Sequence, residues 1–261
     1  MPLRLTRAAL GALTVLTVLL LPAAGARAEG QSTITLDDSR LITIDGAQSD
    51  GYGYIRTTVK VYRPTEFILV RLKPGKDSGY FANLAYKLSP QKLTTWGTLV
   101  LSGTARPGAP YVATTSLTPG WHALVVRGRD PYVAGGFTVS SEPDGGSRPE
   151  PAAIVRLGDG ALTAPAKLTA GSLLEVVNDG GQVHDLRIGR VAAGQSPATA
   201  AKLLKAGRGG EVRWSGSPRT LVGWTSPRVA QFIAPRLAAG RYLLVSGRPD
   251  GSALTRVVTV S

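Results

Sequence analysis

The chain contains no cysteine, a single methionine at its first position and only two histidines, His122 and His184, in 261 residues. The missing thiols exclude disulfide staples, thiolate nucleophiles, a lipoprotein anchor and every cysteine-ligated metal at once. Aromatic residues are sparse, at 6%, and acids are outnumbered, 17 against 30 lysines and arginines. Long apolar runs are lacking too. The longest, Ala8 to Leu21, is about 14 residues, short of the roughly 20 that a spanning helix needs.

That run follows Arg4 and Arg7 and closes on Ala26-Arg27-Ala28, the pattern of a secretory signal peptide cut near Ala28. The mature chain is therefore expected to start near Glu29, to be secreted or held at the cell envelope, and to carry no transmembrane segment. The formal net charge is +13, and loss of Arg4, Arg7 and Arg27 with the signal leaves +10. Such an excess favours acidic partners, whether an anionic cell-wall polymer, phospholipid headgroups, nucleic acid or an acidic protein, while arginines scattered through an Ala- and Gly-rich chain also fit a GC-rich genome with no dedicated polyanion site. The cations are scattered rather than clustered, so no specific nucleic-acid partner is expected.

Between Ser140 and Pro151 the chain reads SSEPDGGSRPEP, rich in proline, glycine and charge, which marks a linker. The flanks repeat one another. SLTPGWHALVVRGRD from Ser116 and PRLAAGRYLLVSGRPD from Pro235 share a Leu-x-x-Gly turn, an aromatic-bearing apolar strand and a Gly-Arg exit, so Leu117 and Gly120 correspond to Leu237 and Gly240. Upstream, YRPTEFILVRLKPG and LTAGSLLEVVNDGG align as turn, strand, turn. Two copies of one domain follow: a signal peptide over 1–28, a first domain over 29–140, a linker over 141–151 and a second domain over 152–261.

Short β-branched runs punctuated by Gly, Pro, Asn and Asp predict an all-β sandwich in each copy. They cover 33–36, 41–44, 57–62, 66–72, 99–102, 121–126 and 137–140 in the first copy. In the second they cover 153–157, 172–178, 183–188, 221–224, 229–233, 241–246 and 255–260. One helix is predicted, in SPATAAKLLKAG, with Ser196 as N-cap, Pro197 in the first turn and Gly207 as the stop.

His184 follows the Gly180-Gly181 turn at the start of a strand, where alternation places it with Leu186 and Ile188 and opposite Asp185. Alone, it fits a semi-buried structural histidine; as a metal ligand it needs partners, and Asp179, Asp185 and Asp250 are the nearby candidates. His122 is expected to pack or face solvent at the position equivalent to Tyr242. No Gly-x-Ser-x-Gly elbow supports a nucleophile, and a Ser246-His184-Asp arrangement lacks any motif for an oxyanion hole. Asp37-Asp38 diverge as neighbours on a strand, and no phosphate-cradling loop precedes a helix. Tyr52, Tyr54, Tyr62, Tyr80, Tyr86 and Trp96 crowd the first copy, and Tyr52, Tyr54 and Arg56 in SDGYGYIR are candidate surface contacts. Core packing and strand propensity explain most of these aromatics as well. Trp121, Trp214 and Trp224 are expected in the core or at its rim.

NDGGQVHDLRIGR, the helical insert, PRLAAGRYLLVSGRPDG and the closing TRVVTVS together resemble the cupredoxin-like domains of secreted bacterial proteins, related to plastocyanin and azurin. The resemblance covers 153–261 and reaches the first copy only through the repeat. It implies two tandem cupredoxin-like Greek-key sandwiches, the second with a short helical insertion. It also implies that His184 occupies the first copper-ligand position and Ser246 the place of the copper cysteine. The loop GRPDGSALT supplies neither histidine nor methionine. Type 1 copper requires the thiolate, so the fold carries over and that centre does not. The expectation is a non-enzymatic binding or structural protein of the envelope with no cofactor. The alternative is a copper-binding or copper-handling protein using His184 with carboxylates.

Overall fold

The computed structural model describes residues 30–36, 42–46, 53–127, 131–141, 146–247 and 252–261. Residues 1–28, Asp37-Asp38, Tyr52, residues 142–145 and Asp250 lie outside the described residues.

The first half contains β1 (Gly30–Leu36), β2 (Ile42–Gly46), β3 (Gly53–Val61), β4 (Thr65–Leu72), β5 (Gly97–Ala105), β6 (Tyr111–Leu117), β7 (Gly120–Arg127) and β8 (Tyr132–Val139). Between β4 and β5 lie helices α1 (Ser78–Leu84) and α2 (Pro90–Leu93). The second half contains β9 (Ala153–Leu157), β10 (Leu162–Thr163), β11 (Lys167–Leu168), β12 (Leu174–Asn178), β13 (His184–Gly189), helix α3 (Pro197–Lys205), β14 (Arg219–Thr225), β15 (Ala230–Ile233), β16 (Gly240–Gly247) and β17 (Ala253–Val260). The fold is thus all-β, two tandem sandwiches. Among the described residues no helix is long and apolar enough to cross a membrane.

Strand order makes the repeat explicit. The first half layers β2-β1-β3-β6 against β5-β4-β7-β8, and the second layers β10-β9-β12-β15 against β14-β13-β16-β17, with β11 beyond β17. Position by position, β3 answers to β12 and β4 to β13. The alignment of YRPTEFILVRLKPG with LTAGSLLEVVNDGG is therefore off by one strand, since the former forms β4 and the latter β12. Both segments are short apolar runs between turns, and periodicity alone cannot tell neighbouring strands apart.

The pairing of the Leu-x-x-Gly turns agrees down to side chains. Gly120 and Gly240 both adopt left-handed φ, 129° and 143°, which a residue with a Cβ avoids. Opposite each turn an arginine reaches its carbonyls: Arg71 Nε donates to Pro119 O at 2.8 Å, and Arg190 donates to Ala238 O and Ala239 O.

The two halves share one sheet. Strands β6 and β15 pair antiparallel, Thr115 with Gln231 and Thr114 with Phe232, so their first layers merge into eight strands. Antiparallel pairing of equivalent strands relates the halves by an approximate two-fold rotation. In the other layer β5 and β14 meet: Leu99 N donates to Ser226 Oγ at 2.9 Å, Ser226 N to Leu99 O at 3.2 Å and Ser102 Oγ to Trp224 O at 2.5 Å. The Tyr111 hydroxyl lies 3.1 Å from Leu221 O across the same junction, and burial holds this phenol well above its ordinary pKa.

Burial follows from layering. Along β3, Ile55, Thr57, Val59 and Val61 point inward while Arg56 and Lys60 are exposed. Strand β4 is buried on both faces at Phe67, Ile68, Leu69 and Val70, because the α1/α2 segment covers its outer side with Phe81, Ala85 and Leu93. Val183 and Trp224 of the second half join that outer cluster, and Trp121 lines it.

Helix α3 matches its expectation in cap and start, Ser196 Oγ accepting from Thr199 N at 3.0 Å. It packs on β16 and β17 through Ala200 beside Leu243 and Val245, with Trp214 at the margin. Helices α1 and α2 and strand β6 go beyond the sequence reading. Ser89-Pro90 carries the same capping grammar as Ser196-Pro197, but each helix is too short to show a hydrophobic period, and Asp77 is the one cap of α1.

His122, in β7, is fully buried, stacked on Phe137 at 5.3 Å, with Nδ1 donating to Gly120 O at 3.0 Å. It packs rather than facing solvent. Burial lowers its pKa to about 4, with Gly120 O opposing and the Arg71 charge adding to the drop. The native ring is neutral while the unfolded ring titrates near its ordinary value of about 6.5, so its contribution is complete above that pH and is lost as pH falls toward the folded pKa. Denaturant titrations should show stability falling by about 1–1.5 kcal/mol from this residue between pH 7.5 and 5.5. The loss should shrink in His122→Tyr, which copies Tyr242; an equal pH dependence in both proteins would contradict this.

Candidate functional site

The site expected at His184 and Ser246 lies where β13 and β16 run side by side at one end of the second sandwich. Asn178 ends β12 fully buried and organises the turn that follows: its Nδ2 donates to Gln182 O at 2.7 Å and Thr225 O at 2.9 Å, and its Oδ1 accepts from Gly180 N at 2.9 Å. An asparagine supplies both donors and an acceptor from one short side chain, which is what this turn requires. The turn delivers His184 to the first position of β13 with 3% exposure.

Around the ring, Nδ1 lies 3.3 Å from Ser246 Oγ and Nε2 lies 3.1 Å from Asp159 Oδ1. A carboxylate only accepts, so Nε2–H donates to Asp159, and in the neutral ring Nδ1 accepts the Ser246 hydroxyl proton. Asp159 also accepts from Gly181 N at 2.8 Å and Gln182 N at 3.2 Å. Its pKa is lowered below the usual carboxylate value, first by the Gly181 N–H, then by His184.

Serine, histidine and aspartate thus line up with the ring nitrogens exchanged relative to a hydrolytic triad, in which the serine faces Nε2. Ser246 is fully buried, which closes its Oγ off from a substrate carbonyl.

The carboxylates singled out from sequence go elsewhere. Asp185 is buried on the other side of β13, accepting from Gly247 N at 2.9 Å and Arg187 Nε at 2.8 Å. Asp179 pairs with Arg156 at 2.8 Å on the surface. The carboxylate that reaches His184 is Asp159, in the Gly158-Asp159-Gly160 turn. The sequence does not single that turn out, because its approach to His184 spans 25 residues and depends on β9 lying beside β12. Asn178 was legible only as a turn residue.

Strand register identifies the equivalent positions in the first half. With Ala123 opposite Val70 and Leu243 opposite Gly189, Thr65 falls where His184 stands and Val126 where Ser246 stands. The first half therefore has no ligand at either place.

The donor set does not fit type 1 copper, because a hydroxyl stands where the thiolate is required. Among the described residues no three His, Cys, Asp or Glu side chains gather as a metal site. Of the candidate surface contacts, Tyr54 is half-buried with its ring edge-on to Phe232 at 5.7 Å, and Arg56 is exposed.

No protein-family model matches the chain, and no curated protein matches it. Among solved structures it is similar to auracyanin from Roseiflexus castenholzii, at 18% identity over 41% of this chain and 94% of that one, with a TM-score of 0.27. It is also similar to a multicopper oxidase, at 11% identity over 89% of this chain and 88% of that one, TM-score 0.25. A copper-containing nitrite reductase from Thermus scotoductus SA-01 is similar at 12% identity over 89% of this chain and 60% of that one, TM-score 0.25. These superpositions are loose, and the description of the site rests on the chain's own geometry.

Gly180 is the tightest point of that geometry. A Cβ there would sit 2.4 Å from Asp159 Oδ1 and 3.0 Å from His184 Nε2, whereas one at Gly181 would meet Asp159 Oδ2 at 3.3 Å. Gly180→Ala should cost on the order of 1–3 kcal/mol in urea unfolding and Gly181→Ala clearly less. Equal costs would mean that the His184–Asp159 contact does not constrain the turn.

Proposed function

We propose that the protein is an exported, non-enzymatic binding or structural module of the cell envelope, in which the place of a copper centre has become a polar plug. The observation that supports this reading is the chain Ser246–His184–Asp159, in which both ring nitrogens have protein partners and the thiol is replaced by a buried hydroxyl. The signal segment over 1–28 and the linker over 141–151 belong to the same proposal. The excess of basic residues gives the module its preference for an acidic polymer or an acidic protein face.

One observation favours a second reading, metal handling: the buried His184 ring pairs through Nε2 with Asp159, whose carboxylate is half-exposed. One imidazole with one carboxylate makes a weak and labile site. Calorimetric titration of the untagged mature protein with Cu²⁺ and Zn²⁺, beside His184→Ala, separates the two. The module reading expects no saturable heat from either protein. Stoichiometric binding at micromolar affinity or tighter that vanishes in His184→Ala would replace it with the metal-handling reading.

A further inference from the structure

We propose that the segment linking β4 to β5, residues 73–96, is a docking platform for an acidic polysaccharide; this rests on the acidic-partner reading above and names its surface. Arginine outnumbers lysine 22 to 8 in the chain, yet four of the eight lysines, Lys73, Lys76, Lys87 and Lys92, fall in this one segment. All four are exposed. The segment holds one acid, Asp77, and its carboxylate is committed to capping α1, accepting from Tyr80 N at 2.8 Å. Among the described residues none of the four lysines has an acidic partner: Lys73 Nζ donates to Thr94 O at 2.7 Å, Lys76 Nζ stands 5.1 Å over the Trp96 ring, and Lys87 Nζ 5.3 Å over Tyr86. In the corresponding insert of the second half one cation, Arg208, is paired with an acid, Glu211, at 2.6 Å.

The aromatic part of the platform is held in place from below. Tyr80 is 62% exposed, and its ring lies 5.6 Å from that of Trp96 at a tilt of 33°. Trp96 leans in turn on the buried Phe81 at 5.9 Å, and Arg127 ties the segment to β7 by donating to Tyr86 O and Leu88 O. Two fixed rings beside ammonium groups that lack an acidic partner suit a polymer whose units have an apolar face and a peripheral negative charge. A pyranose ring bearing a carboxylate or sulfate is such a unit: its C–H face lies on the rings while the charge meets Lys73 and Lys76.

Other polyanions fit less well. Nucleic-acid recognition favours the guanidinium fork, and the nearby arginines, Arg71 and Arg127, are spent on backbone carbonyls. An anionic membrane calls for an exposed apolar wedge, whereas the exposed large hydrophobic residues among those described are Tyr62 and Tyr80, both carrying a hydroxyl.

The test is calorimetric binding of the mature protein to polygalacturonate at low salt and at about 0.15 M salt, with neutral dextran, single-stranded DNA and phosphatidylglycerol vesicles alongside. The variants are Lys73→Gln with Lys76→Gln, Tyr80→Ala, and a control pair of exposed residues, Arg106→Gln with Arg241→Gln, which removes the same charge elsewhere. Thermal melts confirm that each remains folded. The expected result is polygalacturonate binding that weakens about tenfold in the lysine pair and in Tyr80→Ala but stays within about twofold in the control, with no binding to dextran. Binding that all variants retain equally would overturn the platform and leave the acidic-partner reading standing. Absence of binding to every polyanion would overturn both. Tighter binding to DNA or vesicles than to polygalacturonate, weakened by the same variants, would overturn the polysaccharide as occupant.

Discussion

The antiparallel pairing of β6 with β15 is the constraint on which the rest of this structure depends. A β-sandwich has exposed edges, and two copies joined only through a Pro- and Gly-rich segment would ordinarily move independently. Here each copy covers the other's edge. Thr114 and Thr115 pair with Phe232 and Gln231, and β5 meets β14 through Leu99, Ser102, Trp224 and Ser226. Gly146 and Arg148, between the copies, are tied down as well. Gly146 bridges to Tyr54, and Arg148 donates to both carboxylate oxygens of the buried Glu175 at 2.7 Å while its guanidinium covers Phe232 at 5.7 Å.

The polar plug inherits its rigidity from that junction. Thr225 O accepts from Asn178, and the adjoining Ser226 is fixed by Leu99 of the first half, so the turn that presents His184 is braced by a strand from the other sandwich. Val183, immediately before His184, packs into the cluster beneath α1 and α2. The histidine position and the lysine-rich segment thus share a core. The two halves have also diverged in complementary ways: the first keeps neither His184's counterpart nor Ser246's, having Thr65 and Val126 there, but carries the aromatic and cationic segment. The second keeps the histidine, and in its own insert Glu211 pairs with Arg208.

Much of this was legible in the sequence because the signals are local. The helix cap at Ser196-Pro197, the Leu-x-x-Gly turns at Leu117 and Leu237, and the alternation along β13 each follow from a few neighbouring residues. What was not legible depends on distance along the chain. Asp159 reaches His184 only because β9 lies beside β12, and the identity of β4 with β13 emerges only from strand order. Helices α1 and α2 escaped because seven and four residues are too few to display a helical period. No sequence signal marks β6 as a partner for β15, since edge pairing between copies uses backbone groups that every residue carries.

Amide hydrogen exchange along β6 and β15 tests most directly the claim that the two sandwiches form one body through a shared sheet. The account predicts that, of the amides of Thr114, Thr115, Gln231 and Phe232, the pair directed across the β6–β15 seam exchanges as slowly as the amides of the interior strands β3 and β12. Exchange of that pair as fast as in the terminal strand β10 would show that the halves separate in solution, and the bracing of His184 from the first half would fall with it.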